Sequence, residues 1–203
     1  MHINPDTLSG KERYKLMIGS VIPRPIAFVS TKSKDGVLNL APYSFYTIAC
    51  FNPMILAFFP IRYKKGDEKK DTFTNIIETE EFVVNVATED IINELNETSG
   101  LYDADVDEFV KAGLTPVESK IVRAPGVKES PVRMECRLYK TLSLGEDEGG
   151  SDAIFGRVVH FYADDALIEN SRIDEKQVKP IARLAGFKYS KLGEIIEIPR
   201  PEV

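Results

Sequence analysis

The chain has 203 residues, 43% hydrophobic and 29% charged, which suits one folded domain over 1–203 and excludes a disordered or collagen-like polymer. Its 26 basic and 32 acidic side chains leave a net charge of −6, which argues against duplex nucleic acid as the main partner. Apolar stretches such as Met54 to Phe59 fall far short of the ~20 residues of a membrane-spanning helix, and Met1-His2-Ile3-Asn4-Pro5 has no signal-peptide pattern, so a soluble cytoplasmic protein is expected.

The first half reads as strands joined by tight turns. Arg24 to Thr31 is an apolar, β-branched and aromatic run, too short and too β-prone for a helix. Lys34-Asp35-Gly36 supplies a hairpin turn, because glycine accepts the positive φ that a tight turn requires. Val37 to Ala41 and Tyr43 to Cys50 follow as strands, and Phe51-Asn52-Pro53 breaks the pattern before Met54 to Phe59, which reads as buried on both faces. Closely spaced strands with short turns predict a barrel or sandwich.

The middle of the chain changes period. Asp71-Thr72 before Phe73 reads as a capped helix start, and Glu81 to Ala87 returns to strand. Thr88 opens a second helix through Glu97, ending near Gly100, and Val106 to Ala112 is a shorter one closed by Gly113. Pro131 to Leu142 alternates, with Val132, Met134, Cys136 and Leu138 opposite Arg133, Glu135, Arg137 and Tyr139, as in a strand with one wet face. Gly145 to Gly150 reads as an exposed hairpin loop, Ala153 to Ala163 as a long strand, Lys176 to Leu184 as a helix, and Glu194 to Ile198 as a closing strand. The expected architecture is mainly β with helical decoration: one barrel-like domain.

Several chemistries are absent. Cys50 and Cys136 are too few for a disulfide framework or zinc ribbon and read as reduced core thiols. His2 and His160 are the only histidines, so no multi-histidine metal site is available and no metal is expected. Gly-x-Gly-x-x-Gly, Walker and Gly-x-Ser-x-Gly motifs are missing, and Asp164-Asp165 and Glu80-Glu81 read as solvated turns. What stands out is a polar cluster of Ser30-Thr31, Asn39, Ser44-Phe45, Lys70-Asp71-Thr72 and Asn75. Hydroxyls, amides and a helix start suit a phosphate, with Lys70 and Thr72 facing it and Asp71 as the cap. By residue type alone, strand ends and caps explain the cluster more readily. The basic run Arg62-Tyr63-Lys64-Lys65 with Lys69-Lys70 is either a solvated loop or an anion-attracting rim.

The segments Val21 to Thr31, Asn39 to Phe45, Asn52-Pro53-Met54, Lys70-Asp71-Thr72 with Asn75-Ile76, Glu81 to Asn85, and Arg183-Leu184-Ala185-Gly186 with Tyr189 together resemble the flavin reductase-like family. The ordered set covers about residues 20–189; a departure is Ala185, where relatives commonly carry glycine. The resemblance implies an FMN-binding split β-barrel, with FMN held noncovalently at a homodimer interface. Carried over, Ser30 and Thr31 end a strand beside the flavin, while Asn39, Ala41, Ser44 and Phe45 line its ring and ribityl chain. Lys70, Thr72 and Asn75 approach the phosphate, and Arg183 and Tyr189 mark a C-terminal loop near the flavin. His160 is either a half-buried structural histidine or a group that contacts flavin or incoming nicotinamide.

The activity implied is oxidoreduction: NADH or NADPH reduces flavin, ferric iron or another acceptor. The alternative is a flavoredoxin-like electron carrier reduced by a redox protein partner, and a third is a barrel that has lost its flavin. FMN accepts hydride itself, which fits the lack of a catalytic dyad or triad.

Overall fold

A computed structural model describes residues 1–62, 69–145 and 148–201. It opens with a helix that no apolar stripe announces, α1 (Gly10–Ser20), in which only Ile18 is buried. A capping box starts it: the Ser9 amide donates to Glu12 Oε2 at 2.9 Å, and the Glu12 amide donates to Ser9 Oγ at 3.3 Å. Arg24 anchors its far end. The buried guanidinium donates to the carbonyls of Ile18 (2.8 Å), Val21 (2.6 Å) and Leu184 (3.1 Å), and so ties α1 to the C-terminal loop.

The strands follow as β1 (Arg24–Pro25), β2 (Ala27–Lys32), β3 (Leu38–Tyr43), β4 (Tyr46–Phe51) and β5 (Met54–Phe58). The expected run Arg24 to Thr31 is thus split at Ile26, and the expected strand Tyr43 to Cys50 is split at Ser44-Phe45. Next come α2 (Asp71–Thr79), β6 (Glu81–Val86), α3 (Ile92–Glu97) and α4 (Glu108–Ala112), the last closed by Gly113 at φ 70° as expected. The second half adds β7 (Pro116–Val117), β8 (Gly126–Val127), β9 (Val132–Leu144), β10 (Ser151–Ala163), β11 (Ile168–Glu169), β12 (Arg172–Ile173), α5 (Glu175–Val178), β13 (Ile181–Arg183) and β14 (Tyr189–Lys191).

One seven-stranded antiparallel sheet, in the order β3-β2-β6-β9-β10-β5-β4, carries the fold. Strand parity sorts its side chains into two cores. Ala27 and Val29 of β2 join Phe58, Phe82, Val84, Cys136 and Ile154 inside the barrel, with α2 contributing Phe73 and Ile76. Phe28 and Leu40 face the other way, against Leu95 of α3, Phe109 of α4 and Ile181 of β13. Burying the Phe58 and Phe82 rings, 5.7 Å apart edge to face, contributes on the order of 2–3 kcal/mol each. Gly156 of β10 exists for this packing, because a Cβ there would run into the Phe82 ring.

Several expectations need correction. The helix expected over Lys176 to Leu184 is α5 followed by β13: Lys179 adopts φ 50°, and Pro180 cannot continue a helix. The strand expected at Glu194 to Ile198 does not form; Ile196 and Ile198 are exposed and pair with no strand among the described residues. Asp71 is not the cap of α2, since Lys70 occupies that position and makes no side-chain cap bond. Thr88 precedes a 3₁₀ turn, Glu89–Ile91, and likewise makes no side-chain cap bond. Glu135, expected on the wet face of β9, is buried and accepts the amides of Lys120, Ile121 and Val122. Cys136 is a buried thiol as expected, whereas Cys50 is only half-buried, on the sheet edge. Met54 is exposed, while Ile55 to Phe58 are buried or nearly so.

The basic run and the hairpin loop fall partly outside the described residues, at 63–68 and 146–147. Of their described neighbours, Arg62 donates to Asp152 Oδ1 at 2.8 Å, and Lys69 lies 3.6 Å from the same oxygen. No helix among the described residues is long and apolar enough to cross a membrane.

Candidate functional site

The end of β3, the N-terminus of α2, loop 98–102 and β13–β14 enclose a cleft of about 440 Å³, a size typical of ligand sites. Each wall is built by local geometry. Past Tyr43 the chain leaves β3 and re-enters the sheet as β4, which places Ala41, Ser44 and Phe45 along one side. Ser44 Oγ accepts from Arg24 Nε at 3.4 Å, and the Arg24 guanidinium carbon lies 5.8 Å from the Phe45 ring centre.

The second wall is the start of α2. Lys70, Asp71 and Thr72 face the cleft, and the first-turn amides have no side-chain cap. A nine-residue helix places a partial positive charge here. Burial pulls the Lys70 ammonium below the ordinary lysine range, with Asp71 acting in the opposite sense. The third wall is Arg183 of β13, whose guanidinium carbon lies 4.4 Å over the Tyr189 ring; its Nη2 donates to Gly186 O at 2.7 Å. Its Nη1 is buried, with no hydrogen-bond partner among the described residues.

The floor of the cleft belongs to a buried polar network, in which Asn39, Thr72 and Glu108 reach the lining. Thr72 Oγ1 donates to Asn39 Oδ1 at 2.6 Å, and Asn39 Nδ2 donates to Glu108 Oε1 at 2.8 Å. The Leu40 amide donates to Glu108 Oε2 at 2.9 Å. Thr31 Oγ1 donates to Asn39 Oδ1 at 3.4 Å and accepts from Asn75 Nδ2 at 3.0 Å. Burial pushes the Glu108 carboxyl above the usual carboxylate range, against the lowering effect of its hydrogen bonds.

The sequence-selected residues therefore divide. Asn39, Ala41, Ser44, Phe45, Lys70, Thr72, Arg183 and Tyr189 line the cleft. Thr31 and Asn75 sit below it, joined to Asn39 through the network. Ser30 points to the other face of β2, where its hydroxyl donates to Pro125 O at 2.5 Å and accepts from Asn85 Nδ2 at 3.1 Å. His160 lies on β10 opposite Glu135 and does not line the cleft. Sequence reasoning missed Tyr14 of α1, loop 98–102 and Glu108. A glutamate after the helix-capping Asp107 reads as an ordinary first-turn acid, so nothing local marked Glu108.

Residues 18–178 match the model of the flavin reductase like domain, and the chain belongs to the flavin reductase-like family, with its FMN-binding split-barrel fold. The protein YwrF of Bacillus subtilis, itself uncharacterized, is 44% identical over 200 residues, 97% of each chain. The solved structure of nitrilotriacetate monooxygenase component B from Bacillus cereus is 44% identical, with a TM-score of 0.93 over 98% of both chains. The 2-nitrobenzoate 2-nitroreductase NbaA of Pseudomonas fluorescens is 28% identical, with a TM-score of 0.89 over 99% of this chain and 96% of that one. Family and neighbours give the protein a flavin-related oxidoreductase function.

Proposed function

We propose that the cleft binds FMN noncovalently and that the protein is an NAD(P)H-dependent oxidoreductase passing electrons to free flavin, ferric iron or another small acceptor. The observation that carries this reading is the first turn of α2, which lines the cleft with Lys70, Asp71 and Thr72 and has no side-chain cap. Free amides, helix dipole and ammonium together suit a terminal phosphate. Arg183 lines the opposite wall, its guanidinium held over the Tyr189 ring and tied to Gly186 O, and the cleft has room for a ring between the two walls. The residues present fit the cofactor.

Bound FMN supplies hydride acceptance and the release of electrons one or two at a time. The chain's own work is holding and orienting. Lys70 and the first-turn amides of α2, Thr72's among them, would take the phosphate; Asn39, Ala41, Ser44 and Phe45 would line the ring and ribityl chain; and Arg183, braced on Tyr189, would close the far side. The family's homodimer belongs to this reading. The edge strand β4 leaves Ile48 and Phe51 largely exposed, with Met54 beside them, an apolar strip that a second copy would cover. Light scattering should return twice the 22.8 kDa chain mass.

Steady-state oxidation of NADH and NADPH with added FMN or ferric iron tests the activity, and turnover with one donor is expected. A second reading has support from the Bacillus cereus relative, which is named as one component of a monooxygenase. It makes this protein an electron carrier for a protein partner. FMN retention without turnover from either nicotinamide would favour it.

A further inference from the structure

The network beneath the cleft has a direction. Every hydroxyl and amide donor in it points towards Glu108: Asn75 Nδ2 to Thr31 Oγ1, Thr31 and Thr72 hydroxyls to Asn39 Oδ1, and Asn39 Nδ2 to Glu108 Oε1. An ionised carboxylate only accepts, so Asn39 must turn its NH2 group towards Glu108 and its oxygen towards α2. That oxygen obliges the Thr72 hydroxyl to spend its one proton inward. The other Glu108 oxygen is held by the Leu40 amide, which leaves the carboxylate no freedom to turn. Glu108 is 6% exposed and Thr72 1%, so water cannot substitute for either partner.

We infer that Glu108 is a positioning residue: as terminal acceptor it fixes the orientation of Asn39, and through Asn39 it holds Thr72 and the first turn of α2 as a receptor for the phosphate of FMN. The inference rests on the reading of the cleft as an FMN site. Its sign separates it from simple electrostatics. Glu108 carries a negative charge near a site for an anion, so on charge alone Glu108→Gln would tighten FMN. Positioning requires the opposite. A glutamine amide turned to Leu40 N–H or to Asn39 Nδ2 sets donor against donor. The escape is a flipped Asn39, which then offers N–H to Thr72 and turns that hydroxyl from donor to acceptor.

The test is fluorescence titration of the apoprotein with FMN and with riboflavin, which lacks the phosphate. Glu108→Gln is expected to weaken FMN by about tenfold and riboflavin by less than about twofold, the scale of one mismatched buried hydrogen bond. The reciprocal pair Asn39→Asp with Glu108→Gln restores donor to acceptor: the glutamine amide donates to the carboxylate introduced at position 39, and Thr72 still donates to that same group. It should regain most of the FMN affinity. Unchanged or tighter FMN binding in Glu108→Gln would overturn the inference, as would equal losses for both flavins. If the unsubstituted protein takes up neither flavin, the cofactor reading and the phosphate role fall together. Thermal unfolding of the apoproteins then decides the donor order: both single variants should melt lower and the pair should recover, and a pair no better than its singles would overturn that order too.

Discussion

The two faces of β2 carry two buried polar networks built from the same kinds of residue, and only one opens to a ligand. On the closed face, Asn85 donates to Phe28 O (2.9 Å) and Ser30 Oγ (3.1 Å) and accepts from the Val127 amide (2.8 Å), while Ser30 donates to Pro125 O. Donors and acceptors are spent among β2, β6 and the segment entering β8, and the network acts as a clamp. On the open face, Thr31, Asn39, Thr72, Asn75 and Glu108 satisfy one another just as fully, yet the helix end they brace lines the cleft and has no side-chain cap. Polar residues in a barrel core thus serve the scaffold when their network closes, and a site when it leaves donors facing outward.

The comparison breaks most visibly at Asn85. Asn85→Ala leaves the buried Val127 amide without its acceptor and takes a donor from Ser30 Oγ and Phe28 O, and should cost roughly 3 kcal/mol of stability by chemical denaturation, with FMN affinity of the folded protein unchanged. Lys70→Ala should do the reverse. FMN affinity is expected to drop about tenfold, while stability stays within about 0.5 kcal/mol. Ser30→Ala should cost about 1 kcal/mol and leave flavin titrations untouched; a loss of FMN affinity there would mean that the closed face reaches the ligand after all.

The smallest effect is a pH slope. The folded-state pKa of Glu108 is raised above the usual 4.5, so the folded chain binds its proton more readily than the unfolded one. Its contribution favours the fold below the unfolded value and is lost as pH rises through the folded one. Stability of the unsubstituted apoprotein, measured relative to Glu108→Gln, should therefore fall as pH rises across that window. The Asn85 clamp contains no titrating group and should show no such slope when Asn85→Ala is compared in the same way.

Much of this was legible in the chain. Glu81 to Val86, the alternating strand β9 and the long strand β10 were readable as strands in the sequence, and Lys34-Asp35-Gly36 forms its hairpin, with Gly36 at φ 95°. The ordered motifs bring most of the cleft lining together. What failed did so for physical reasons. The apolar residues of α1 are largely exposed, so no buried stripe announces the helix. Val178, Ile181 and Leu184 mimic helical spacing across Pro180, which a helix cannot cross. Ser30 and Thr31 are neighbours on one strand, so they must face opposite ways, and parity alone would have kept only one of them for the cleft. Glu108 arrives from a distant helix, and only the fold brings it under Asn39.

The central claim is that the first turn of α2 with Lys70 receives the phosphate of a flavin. Equilibrium titration of the unsubstituted apoprotein with FMN and riboflavin, side by side, tests it most directly. The account predicts saturable uptake of one FMN per chain, bound at least about tenfold more tightly than riboflavin. Equal affinity for the two flavins, or no uptake of FMN, would contradict it.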